Sequence, residues 1–249
     1  MWLVLCSPGD ACAPWLHQGL AGRGLLPLLS IGPVDLFHGC RWEHRVASDG
    51  CGSRLTLANG QVLESGQVRG ALNRLTGVPV ELFDGSADRD YAVQELYALL
   101  LSWLHSLPAP IINRPTPQGL AGAWRHSSQW VQLAARAGLP VPGYRRTSAD
   151  PRPALYADSP LFPAGTPMRT VLVLGGYTGG APAPPEIAAG CRRLARLAGT
   201  SLLGVDFADG GAGAWTFAAA SPLPDLRIGG DGFLDLLAAA LRSELDIAA

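Results

Sequence analysis

Three groups of residues have types and spacings that could carry chemistry. The first is a lone carboxylate, Asp206, within the apolar run Leu203-Gly204-Val205-Asp206-Phe207, which leads through a turn into Trp215-Thr216-Phe217-Ala218-Ala219-Ala220-Ser221-Pro222. The second is a repeated pair, Asn73-Arg74 and Asn113-Arg114, each at the end of an expected strand. Ligands of open α/β sheets sit at such carboxyl ends, and an arginine fork there can hold a carboxylate bidentately. The same arginines also suit salt bridges between domains, and both readings stay open. The third is His38, Cys40, His44 and Cys51 in one loop-like segment, with Cys6 and Cys12 near the first strand. Zinc needs four convergent ligands, most often from Cys-x-x-Cys pairs, and no such pair exists. These residues read as scattered core or surface positions, and no metal site is expected. Nucleophilic serine chemistry lacks its Gly-x-Ser-x-Gly elbow.

The elements that must position these groups follow from periodicity. Residues 2–6 read as a strand, with Asp10 capping a helix from Ala11 to Gly22 and a second strand from Leu25 to Ile31. That β-α-β opening implies a parallel sheet with a crossover helix. Arg54 to Leu57 turns at Ala58-Asn59-Gly60 into Gln61 to Leu63, a hairpin signal. Gly70 to Leu75 is another short strand. Apolar residues from Ala92 through Leu96, Leu100, Trp103 and Leu107 recur at spacings of three and four, predicting a helix over 88–107, which Ser86 or Asp88 can cap and Pro108 ends. A strand over 110–113, a helix over 127–137 closed by Gly138 and an extended segment over 139–142 follow. Residues 148–168 are rich in proline without helical period and read as linker or irregular coil. Further strands are expected over 169–174, 201–207 and 215–219, with helices over 186–198 and 231–245. The cluster Gly175-Gly176-Tyr177-Thr178-Gly179-Gly180 reads as a hairpin turn rather than a phosphate cradle. The residues that should open a helix after it, Ala181-Pro182-Ala183-Pro184-Pro185, make a poor anion-binding N-terminus.

Composition narrows the classes. The chain has 249 residues, 48% of them apolar and only 16% charged, so a well-packed globule is expected. Its 20 acidic and 19 basic residues leave it near neutral, which argues against a nucleic-acid partner. All 19 basic residues are arginine. A Walker lysine, a Schiff base and a lysine phosphate clamp are therefore excluded. No apolar run approaches the roughly 20 residues that cross a bilayer, and Met1 to Cys6 lacks the basic flank of a signal peptide. Five irregularly spaced cysteines suggest reduced thiols and a cytoplasmic setting without membrane contact.

Two stretches resemble ATP-grasp ligases. Ile111-Ile112-Asn113-Arg114-Pro115, with Gln132-Leu133 to Gly138-Leu139-Pro140-Val141-Pro142, is similar to the strand ending Asn-x-Pro and the helix "Gln-Leu-x-x-x-x-Gly-(Ile/Leu)-x-x-Pro" at the entry to that core. Leu203 to Phe207 and Trp215 to Pro222 are similar to "Gly-x-Asp-(Leu/Phe)", a turn, and "Phe-x-Glu-x-Asn-Pro". The likeness is to the microviridin-type peptide maturases and the glutamate ligases that modify a ribosomal protein. It implies an α/β fold, with a pre-ATP-grasp-like β-α-β domain over 1–115 and a shortened ATP-grasp-like α+β domain over 116–249. In the second domain the proline-rich 148–168 stands in place of the lid subdomain.

The resemblance also implies a reaction: ATP phosphorylates a carboxylate, and a nucleophile attacks the acyl phosphate. Two magnesium ions bridge the phosphates, held by Asp, Glu and Asn oxygens. Here Asp206 matches the Asp, but Ala219 stands where Glu belongs and Ser221 where Asn belongs. Ser127 lies about where the family has a lysine, and arginine rarely substitutes in that cradle. The expectation is a degenerate ATP-grasp-like protein without ligase activity or a required cofactor, serving as a platform for a protein or peptide partner. Asp206 is the one cofactor-ligand position kept, no catalytic residue is assigned, and Asn73, Arg74, Asn113 and Arg114 are the candidate substrate-binding residues. The alternatives are an ATP- and magnesium-dependent ligase completed by a partner chain, and a binder of small acidic ligands.

Overall fold

The computed structural model describes residues 1–79, 86–143, 162–209 and 214–245. The chain is α/β and divides into two compact units, residues 1–123 with 234–246, and residues 124–233 with 247–249.

The first unit is built on a parallel sheet of β1 (Trp2–Cys6), β2 (Leu28–Ile31), β6 (Gly70–Arg74) and β7 (Ile111–Ile112), in the order β2-β1-β6-β7. Four of the five residues of β1 are buried, as expected of a central parallel strand covered on both faces. The crossover helix α1 (Ala13–Gly22) starts two residues later than expected. Cys12 is its N-cap, while the Asp10 carboxylate accepts from the Cys12 amide at 3.0 Å. A five-residue helix α2 (Pro33–Phe37) follows β2.

Residues 38–51 are not a loop. β3 (Arg41–Ala47) pairs antiparallel with β4 (Gly50–Thr56), and β4 with β5 (Val62–Glu64), giving a three-stranded sheet. The Asn59-Gly60 turn closes the last hairpin as the sequence predicts, with Gly60 at φ 83°. The long helix α3 (Ser86–Ser106) buries Leu100, Trp103 and Leu104, with Leu107 just beyond its end, against a core that also holds Leu3, Leu5, Leu36 and Leu55. Each such side chain contributes about 1.5–3 kcal/mol by leaving water.

The second unit has an antiparallel sheet of β8 (Met168–Leu174), β9 (Tyr177–Gly180), β10 (Leu202–Asp209) and β11 (Trp215–Ser221), in the order β11-β10-β8-β9. The Gly175-Gly176 step is the turn between β8 and β9. Helices α4 (Ser127–Arg136) and α5 (Pro185–Ala198) cover one face. Alternate residues point to that face: Val171 and Val173 of β8, and Leu203, Val205 and Phe207 of β10, share a core with Trp130, Ala134, Ile187 and Leu194. Gly199 ends α5 in the left-handed region at φ 60°.

The last helix, α6 (Gly230–Leu241), stops four residues short of the expected Leu245. Ser243 just beyond it takes φ 61°. The described part of the proline-rich stretch, 162–167, has no regular structure. Its remainder, the expected segment from Tyr144 and the Gly210-Gly211 turn lie outside the described residues. No helix among the described residues is long and apolar enough to cross a membrane, and all five cysteines are free thiols.

Candidate functional site

Asp206 lies on the sheet face opposite α4 and α5, because its neighbours Val205 and Phe207 point into the helix-covered core. Across the ladder it stands opposite Thr170 of β8 and Ala219 of β11. Gly204, two residues back, is opposite Ser221. The register shifts between Asp206 and Phe207, where Phe207 pairs with Phe217 and leaves Ala218 as the extra residue of a bulge. That inserted residue decides the geometry of the site. Phe217 and Ala219 are two apart and would share a face on a regular strand, yet Phe217 enters the core while exposed Ala219 stands beside Asp206.

The Asp206 carboxylate is half-buried, and its Oδ1 accepts from the Thr170 hydroxyl at 2.5 Å. Burial raises its pKa, and the Thr170 bond offsets part of that rise. Among the described residues Asp206 makes no ion pair. Ser221 is turned to a local task, its Oγ accepting from the Leu223 amide at 3.1 Å. Thr170 was not singled out from sequence. Its signal is its place in the alternation of β8, where it is the polar residue preceding Val171.

The two Asn-Arg pairs lie at the carboxyl ends of β6 and β7. The structure brings Asn73 and Asn113 together: the Asn73 amide donates to the carbonyls of Asn113 at 2.8 Å and Leu120 at 2.7 Å. Its oxygen accepts from the Leu75 amide at 3.2 Å. Asn113 sits in the left-handed region at φ 57°, a conformation asparagine tolerates better than most residues.

The arginines serve separate ends. Arg74 forms a bidentate pair with Asp10, Nε to Oδ2 at 2.6 Å and a terminal nitrogen to Oδ1 at 3.1 Å. The two side chains are only 5% and 11% exposed. Arg114 donates to the carbonyls of Leu104 at 2.6 Å and Ala109 at 3.2 Å. The bidentate edge of Arg74 is thus taken by Asp10, and Arg114 spends two of its donors on backbone carbonyls.

The five cysteines of the chain remain separate thiols, and within the Cys/His segment one histidine links two elements. His44 of β3 bridges two serine hydroxyls, Ser53 at 2.6 Å and Ser102 at 2.7 Å, tying the small sheet to α3.

No protein-family model and no curated protein matches the chain. Solved structures do. Macrocyclase MdnB from Microcystis aeruginosa MRC superposes with a TM-score of 0.68 at 15% identity, over 97% of this chain and 98% of that one. Macrocyclase MdnC from the same organism, bound with precursor peptide MdnA, gives 0.70 at 12% identity over 97% and 99%. The Chryseobacterium gregarium RiPP-associated ATP-grasp ligase, in complex with ADP and a leader and core peptide, gives 0.72 at 8% identity over 100% and 98%. This chain has the ATP-grasp fold.

ATP-grasp chemistry works through a magnesium-bound nucleotide, and the residues present can be weighed against that pair. The register aligns positions 206, 219 and 221 on one face, but they supply one carboxylate, a methyl group and a neutral hydroxyl that already accepts from a backbone amide. Hard divalent ions require several oxygen ligands each. Among the described residues, no group of three His, Cys, Asp or Glu could hold a metal ion. The chain has no lysine to meet the phosphates. The described residues do not fit a magnesium–nucleotide pair, and no catalytic step is derived through one.

Proposed function

We propose that this ATP-grasp chain is catalytically silent and acts as a protein- or peptide-binding partner in a cytoplasmic pathway of peptide or protein modification. The observation that carries the reading is Asp206 facing Ala219 across the β10–β11 ladder, a single carboxylate where paired oxygen ligands are required. The complete absence of lysine supports it from the phosphate side. Two of the similar folds were solved with precursor or leader and core peptides, which favours a peptide as the partner. Isothermal titration with ATP and magnesium tests the proposal. The expected result is no magnesium-dependent binding, and micromolar affinity overturns it.

One observation favours a second reading, a ligase completed by another chain. Asp206 remains on the appropriate face and is held by Thr170. That reading requires ATP hydrolysis that appears when the partner is added and disappears in Asp206→Ala. Absence of turnover with every candidate partner removes it.

A further inference from the structure

Near-neutral total charge conceals a segregation visible once α4 and α5 are placed side by side. Residues 124–143 and 185–200 carry five arginines against one carboxylate, Glu186. The two helices are in contact. Arg193 Nε donates to the Ala137 carbonyl at the end of α4 at 2.9 Å, and Arg125 donates to the Ala198 carbonyl at the end of α5 at 2.7 Å. The buried side of α5 is Ile187, Cys191, Leu194, Ala195 and Ala198. Arg192, Arg193 and Arg196 therefore fall on its outer side at helical spacing, with Leu197 beside them 40% exposed. Arg136 lies on the outer side of α4, one residue from the carbonyl that Arg193 holds.

These arginines differ from most of the others in a specific way. Seven described arginines elsewhere pair with a carboxylate, among them Arg23 with Asp235, Arg45 with Asp49 and Arg227 with Asp225. Among the described residues, Arg136, Arg192, Arg193 and Arg196 have no carboxylate partner.

We propose that the outer surface of α4 and α5 docks an acidic, leucine-containing segment of a partner polypeptide, gripped by Arg136, Arg192, Arg193 and Arg196. This deepens the reading of the chain as a binding partner and rests on it. Charge complementarity argues for the occupant: guanidinium forks match carboxylates bidentately, and exposed Leu197 beside them offers an apolar contact. A polynucleotide fits less well, since the chain's net charge of −1 and pI near 6.5 give no long-range pull on a polyanion.

The test is fluorescence anisotropy of the full chain with a fluorescein-labelled peptide of Glu-Asp-Leu repeats, titrated at low and high salt. Binding should weaken with salt, and R136Q/R192Q/R196Q should lower affinity by about tenfold or more. Arg193 is kept in that variant because it bonds α4. R41Q/R45Q/R54Q, taken from arginines already paired, should stay within about twofold of wild type. Melting curves confirm that both variants fold. A labelled Lys-Arg-Leu repeat on wild-type protein is a check needing no variant, and it should not bind. The proposal is overturned if the acidic peptide fails to bind, if the helix variant binds it as well as wild type, or if a uridine oligonucleotide binds more tightly. Failure here alongside calorimetric silence towards ATP discards this surface alone. ATP binding discards the silent-partner reading whatever the peptide does.

Discussion

Replacing Asp206 with asparagine separates a retired ligand from a working one. The side chains are close in shape, and the asparagine oxygen can still accept from Thr170, so the 2.5 Å bond survives. What disappears is a half-buried negative charge that no cation among the described residues balances. A carboxyl whose pKa is raised in the folded chain binds its proton more tightly there than when unfolded. Its ionisation therefore costs stability as pH rises through the folded value, and the cost vanishes below the ordinary value of 3.8. Asp206→Asn should accordingly be more stable than wild type at pH 7. Single stabilising substitutions commonly give about 1 kcal/mol, or about 2–4 °C in Tm for a chain of this length. Wild type and variant should converge as pH falls towards 3.8. Differential scanning fluorimetry across pH, with and without magnesium, reads both effects. A variant less stable than wild type at pH 7, or one that abolishes a magnesium-induced stabilisation, refutes the reasoning, because the carboxylate would then be holding a cation.

Further outcomes follow from neighbouring geometry. Ala219→Glu sets a second carboxylate opposite Asp206 on an exposed position and should cost about 1 kcal/mol at pH 7. Millimolar magnesium should raise the melting temperature of that variant and leave wild type unmoved. Asp10→Ala removes the carboxylate paired with a buried guanidinium and should lower stability by about 3–5 kcal/mol in urea titrations, most of it regained in Asp10→Ala/Arg74→Met. Burial pushes the Cys191 thiol up to about 12, so Ellman's reagent should modify exposed Cys51 in the native chain and reach Cys191 only on unfolding.

Elements with strong local signals were readable from sequence. The stripe through Leu100, Trp103 and Leu107 gave α3, and Asn59-Gly60 gave its hairpin, because spacing and turn chemistry are properties of adjacent residues. β3 was not read, although Trp42 and His44 alternate with charged Arg41, Glu43 and Arg45. Its inward groups are an indole and an imidazole whose partners, Trp103 and Ser102, lie far along the chain. Asp10 reads from sequence as the cap of α1, a place that Cys12 takes, and its pairing with Arg74 spans 64 positions and has no local signature. Asp206 and Ala219 could be matched to a motif, whereas their facing register depends on a bulge that no residue type announces. The arginine layer was hidden for a related reason. A charge total sums over the chain, and only packing shows that α4 and α5 put their cations on one surface.

The extra residue at Ala218 has a consequence for how such a protein can change. By switching the phase of β11 between Phe217 and Ala219, it uncouples the strand's two jobs, so the half that anchors the interior is blind to what the outward half carries. Side chains at 219 and 221 can be exchanged for donors or for nothing while the hydrophobic layer beneath keeps its shape. Oxygen ligands on that face can be lost or regained at those two positions without the architecture registering the difference.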